Sequence, residues 1–128
     1  MTTLAKWPPE TAEEFCSCYH IPVRNGEAIL YMAVQVDGWS FHRPSVEYRV
    51  GETYECDCDP SNIDDSRNMR VGDKWGACLD GETWSDVAPF KLLEVAVPLD
   101  AIMVLPRTHG WVRCSRLKVL REVPEDEW

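Results

Sequence analysis

No run of roughly 18 apolar residues occurs in the chain, so a membrane-spanning helix is excluded. The phosphate-loop pattern G-x-x-x-x-G-K-[ST], the H-E-x-x-H zinc pattern and the G-x-S-x-G nucleophile elbow are all missing, and none of those chemistries is spelled out. Histidine is scarce: His20, His42 and His109 stand far apart, and no Cys-His or Ser-His-Asp set can be read from their order. Basic residues are also few, 13 against 22 acids, for a net charge of −9. Phosphate repels an acidic surface, which argues against direct binding of nucleic acid or an anionic membrane. The stretch MTTLAKWPPETAEE has neither a cationic start nor an apolar run before a cleavage site, so the expected location is the cytoplasm.

What is present suits one domain with one core. Of 128 residues 45% are apolar and six are tryptophan, enough to bury a core but not two. The single domain is expected over residues 1–128, with an extended arm at 1–9, a long polar loop at 57–74 and an acidic tail at 124–128.

Local patterns give the class. Thr11 and Glu14 form a capping box after Pro8 and Pro9, predicting a helix over 11–19 that Pro22 ends. AILYMAVQVD, bounded by Asn25-Gly26 and Asp37-Gly38, reads as a central strand. SVEYRV and ETYEC flank Gly51 as shorter strands able to pair as a hairpin. LDGETWSDVA reads as one or two helical turns capped by Asp80. FKLLEVAV and AIMVL are strands separated by Pro98, and WVRCSRLKVLREV is one final strand with Arg116 and Lys118 on one face. The class is α+β: a mainly antiparallel or mixed sheet, a short N-terminal helix and one short inserted helix.

Charge is unevenly placed. ETYECDCDPSNIDDS carries six carboxylates and no base: Glu52, Glu55, Asp57, Asp59, Asp64 and Asp65. The tail adds Glu125, Asp126 and Glu127, while Arg107, Arg113, Arg116, Lys118 and Arg121 form a basic stretch free of acids. Most charge runs are solvated surface; the sharper reading is an acidic face for a partner. The pairs Asp57/Asp59 and Asp64/Asp65 lack EF-hand spacing and read as surface acids rather than a Ca²⁺ loop.

Six cysteines could supply zinc ligands through Cys16-x-Cys18 and Cys56-x-Cys58 with His20. One intervening residue is short for a structural zinc site, and on a helix Cys16 and Cys18 face different sides. The expectation is small buried or half-buried thiols and no metal or cofactor. Trp39, Trp75, Trp84 and Trp111 sit beside turn residues, where an aromatic ring serves as core lid or interface anchor.

Three stretches carry a resemblance: LYMAVQVDGWSFHRPSVEYRVGETYE, WGACLDGETWSDVAPFKLLEVAVPLD and VRCSRLKVLREVP. Their order resembles a family of uncharacterised small proteins of phages, prophages and bacterial genomes. That family shows an LYKAV-like strand, a Gly-Leu-His segment with a short helix, a LLEVEV strand and a final VLREV. The resemblance spans roughly residues 29–124 and implies a mobile-element origin without implying an activity.

More distantly, the order of elements is similar to the ADP-ribosyltransferase scaffold, whose first strand carries a His or Arg that holds NAD. Met32 falls at that position, and Gly76-Ala77-Cys78 replaces Gly-Leu-His, so the resemblance implies a scaffold without its chemistry. On a surviving enzyme, His42, Tyr48 and Glu94 would be the candidates.

The leading functional expectation is therefore a phage or mobile-element binding protein acting in the host cytoplasm. It would inhibit a nucleic-acid-handling defence complex by presenting a nucleic-acid-mimicking acidic face to a basic groove. Glu52, Glu55, Asp57, Asp59, Asp64 and Asp65 lead that face, with Glu125, Asp126 and Glu127 second. The alternatives are a divergent NAD-using enzyme and a zinc-stabilised interaction module.

Overall fold

The computed structural model describes residues 8–41, 46–56, 69–86, 88–104 and 110–128. In chain order the elements are α1 (Ala12–Cys18), β1 (Val23–Arg24), β2 (Glu27–Gln35), β3 (Thr53–Glu55), β4 (Met69–Gly72) and α2 (Lys74–Trp84). β5 (Phe90–Pro98), β6 (Ile102–Met103), β7 (Trp111–Cys114) and β8 (Arg116–Val123) follow. Short 3-10 turns occupy Leu99–Ala101 and Glu125–Glu127. The class is α+β, with an eight-stranded antiparallel sheet, a short N-terminal helix and one further helix.

α1 forms for the reason its sequence states. The Thr11 hydroxyl accepts from the Glu14 amide at 3.1 Å, and the Glu14 carboxylate accepts from the Thr11 amide at 3.1 Å. The helix stops before Pro22: His20 turns left-handed at φ 54°, and the Ile21 amide bonds back to the Cys16 carbonyl. Asn25 and Gly26, at φ 53° and 76°, make the two-residue turn joining β1 to β2.

The sheet runs β3-β8-β5-β2-β4-β7-β6, with β1 paired to β2, so β2 is central as its pattern predicts. β7 and β8 are joined by Ser115 alone, yet they stand four strands apart in this order. A flat sheet would separate them by about 19 Å at the usual strand spacing. Two peptide units span at most about 7 Å. The sheet must therefore curl, and Ser115 fastens the seam, accepting from the Cys56 amide and donating to the Ala101 carbonyl.

Strand alternation then sorts side chains into two layers. Leu30, Met32 and Val34 of β2, Leu93, Val95 and Val97 of β5, and Leu117 and Val119 of β8 fill the concave side, which Phe15 closes. Each such side chain stabilises the fold by about 1.5–3 kcal/mol when fully buried. On the convex side Ala33, Leu92 and Val123 meet Ala77 of α2. β8 contributes to both layers because a bulge shifts its register against β5 between Glu94 and Val95. Val95 pairs with Val119 but Glu94 with Arg121, so the extra residue turns Arg121 and Val123 onto the convex face.

Several local expectations give way. Residues 45–50 form no strand among those described; Glu47 makes one isolated bridge to Trp39, and β3 pairs with β8. The Tyr54 hydroxyl instead pins this segment, donating to the Glu47 carbonyl and accepting from the Arg49 amide. The polar loop expected through residue 74 ends earlier, because Met69 and Val71 bury alternate side chains in β4. Helix α2 starts at Lys74 with Asp73 as its cap, and Asp80 lies inside it. Pro98 ends β5 rather than lying outside it, and the expected final strand is two strands broken at Ser115.

Candidate functional site

The second edge of β2 is shared by two short partners. β1 pairs at Glu27 and Ala28, whereas β4 pairs only at Tyr31. A cleft of about 300 Å³ opens at this joint, lined by Tyr19, His20, Ile29, Tyr31, Asp73 and Trp75 among others. α2 sits beside it. Gly76 and Gly81 let the helix approach closely: a Cβ at Gly76 would strike the Gly110 carbonyl, and one at Gly81 the Phe90 ring.

Polar groups converge on the convex face from separate elements. The Tyr31 hydroxyl donates to Glu94 at 3.4 Å, and Arg121 Nε donates to the same carboxylate at 3.3 Å. Arg121 also reaches Glu127 at 3.2 Å, and Lys74 Nζ donates to the Glu127 carbonyl at 2.7 Å. The C-terminal turn thus folds back on the sheet, and Trp128 stacks on Phe90 with ring centroids 4.8 Å apart. Burial raises the pKa of Tyr31, with Glu94 adding to it, and burial raises that of Cys78, with Glu82 adding to it. Asp73 is also pushed up by burial, despite the Gly76 amide that opposes the shift. These directions favour the neutral phenol and thiol and weaken the tendency of Asp73 to ionise.

Of the nine residues expected to form an acidic face, five are among the described residues. Asp57, Asp59, Asp64 and Asp65 lie outside the described residues. Glu52 and Glu55 are exposed beside β8, where Glu55 stands opposite Arg116. Glu125, Asp126 and Glu127 form the 3-10 turn after β8, on the side of Arg121 and Lys74. Glu127 is engaged by Arg121. The basic stretch is divided as well: Arg116 bonds Asp100 at 3.2 Å and Arg121 bonds Glu94, while Arg107 lies outside the described residues.

Of the enzyme candidates, Tyr48 and Glu94 stand on opposite faces of the sheet. His42 lies outside the described residues, Tyr48 is buried in the concave core, and Glu94 faces the convex side. Met32 also points into the core, so the side chains that this strand brings to the cleft are Ile29 and Tyr31. Odd positions of β2 carry the polar-tipped residues Tyr31 and Gln35 and even positions do not, a signal present in the sequence. Arg121 gave no such signal, since only the bulge places it.

Cys16, Cys18, Cys78 and Cys114 form no disulfide, whereas Cys56 is disulfide-bonded. Among the described residues no group of three His, Cys, Asp or Glu side chains could hold a metal ion. No described helix is long and apolar enough to cross a membrane. Compared with protein-family models, with curated proteins and with solved structures, the chain matches none.

Proposed function

We propose that the protein is a binding protein that occupies a basic, nucleic-acid-holding groove of a partner, as an inhibitor carried by a phage or mobile element against a host defence complex. The observation that carries this reading is how charge is spent. Arg49 pairs with Glu47, Arg70 with Asp80, Lys91 with Glu122, Arg116 with Asp100, and Arg121 with Glu94 and Glu127. These bases are neutralised within the molecule, while the chain carries nine more acids than bases. The outward field is negative, which speeds encounter with a basic groove and fixes its orientation there.

The test is native mass spectrometry of the tagged protein purified from a bacterial lysate under reducing conditions. The expected result is a stoichiometric complex with a nucleic-acid-binding protein, released by salt because screening weakens exposed charges. Retention of only nucleic-acid-independent, salt-insensitive partners would remove the reading.

A second reading, an NAD-using enzyme, draws on the cleft at the β2–β4 joint with its tyrosines, His20 and Trp75. A ligand that binds the folded state alone raises its melting temperature by mass action. An unchanged melting temperature in millimolar NAD counts against this alternative.

A further inference from the structure

Helix α2 is turned inside out. The residues it buries are small, Gly76, Ala77 and Gly81, while its large apolar side chains face solvent. Trp75 is 60% exposed and Leu79 46%, and a spacing of four residues stacks them on one ridge. Trp84, nine residues after Trp75, lies on the other side of the helix and stacks on Phe41, and Val36 and Trp128 flank a separate depression of about 480 Å³ beyond the helix end at Ser85. An exposed tryptophan backed by a leucine one turn on suits an interaction surface, where tryptophan is a frequent anchor.

The charge around the ridge says what fits it. Arg70, Lys91 and Arg121 are held by Asp80, Glu122, Glu94 and Glu127, and Lys74 holds the Glu127 carbonyl. The carboxylates of Glu82, Asp86, Glu125 and Asp126 make no ion pair among the described residues. An aromatic ridge bordered by uncompensated carboxylates suits arginine, whose planar cation both stacks and pairs. The groove beside the ridge already displays this chemistry: the Arg70 guanidinium lies 4.2 Å from the Trp111 ring centroid and bonds Asp80 at 3.2 Å. A second copy of the chain would bring like charges together, which opposes self-association.

We infer that the outer face of α2 is the docking surface and that its occupant is an arginine-rich protein surface; the inference rests on the binding reading above and names where binding occurs. Trp75 and Leu79 anchor the contact, and Glu82, Asp86, Glu125 and Asp126 form its charged rim.

The test is a titration of the ¹⁵N-labelled full chain with octa-arginine at low salt, followed through the tryptophan indole signals and the backbone amides. Saturable shifts are expected at Trp75, Leu79 and Glu82, weaker with octa-lysine and reversed by salt. The Trp75→Ala/Leu79→Ala variant is expected to weaken binding roughly tenfold or more, as loss of an interface anchor does. Both side chains are exposed, so circular dichroism of that variant should match the parent. The Glu82→Gln/Asp86→Asn variant provides a second test that leaves the apolar ridge untouched, and full affinity in both variants overturns the inference. Shifts confined to Glu52 and Glu55 would overturn the docking surface while leaving the binding reading standing. An absence of shifts anywhere at millimolar peptide would overturn both. A dimer in sedimentation equilibrium that Trp75→Ala dissociates would assign the face to a second copy and overturn the inference.

Discussion

Asp73 illustrates two opposed effects on one side chain. Its carboxylate accepts from the Gly76 amide at 2.6 Å, which favours the charged form, yet burial is the larger influence and its pKa rises. The acceptor is useful to α2 while the charge is a cost. Asp73→Asn is therefore expected to keep or raise stability, whereas Asp73→Ala loses about 1 kcal/mol, the usual value of an N-cap. Urea midpoints of the two variants measure the difference. Cys16 gives the corresponding pH test. Burial, with a smaller contribution from Glu13, raises its pKa from 9.0 to about 11. The folded protein thus holds the proton to higher pH than the unfolded chain does. Its contribution to stability is fully present below about pH 9 and is lost as pH rises from 9 to about 11. In alkaline melts Cys16→Ala is expected to flatten that part of the pH profile.

At the scale of elements, α2 depends on close approach rather than on a large apolar stripe. A methyl at Gly81 would strike the Phe90 ring, which is itself stacked on Trp128. Gly81→Ala is expected to cost about 1–3 kcal/mol, as overpacking does, and to red-shift tryptophan emission as Trp128 is displaced. A denaturation curve followed by fluorescence checks both effects. The start of this helix was hidden in the sequence because Asp73 and Asp80 are both plausible caps and the apolar residues that follow face outward. α1 was legible because its capping box, its apolar face and the turn after it all agree. The β8 bulge was not legible: WVRCSRLKVLREV alternates well enough as a single strand, and only pairing with β5 decides where the alternation slips.

For the whole molecule, a net charge of −9 sets a repulsion that salt screens. The melting temperature is expected to rise between 20 and 300 mM NaCl by roughly a few degrees, equivalent to about 1 kcal/mol for a domain of this size. A fall over that range would mean that the internal ion pairs outweigh the repulsion. The acidic surface was legible as composition but not as geography. Pairing with β8 sets Glu55 opposite Arg116, a neighbour that the linear order of charges does not show. In the acidic tail, Glu127 is bound by Arg121, while Glu125 and Asp126 make no ion pair among the described residues.

The sequence by itself determined the α+β class, the capped first helix, the centrality of β2, the two-residue turn before it and the sign of the surface charge. Each of these depends on near neighbours in the chain or on simple sums. Only the tertiary structure decided which face each residue shows and which charges are neutralised. The curl that lets Ser115 join strands four places apart, the bulge that aims Arg121 at Glu94, and the small residues that press α2 to the sheet all arise from long-range pairing. Such pairing is fixed by packing between segments distant in sequence, and that is why the candidate site emerged from the fold rather than from any motif.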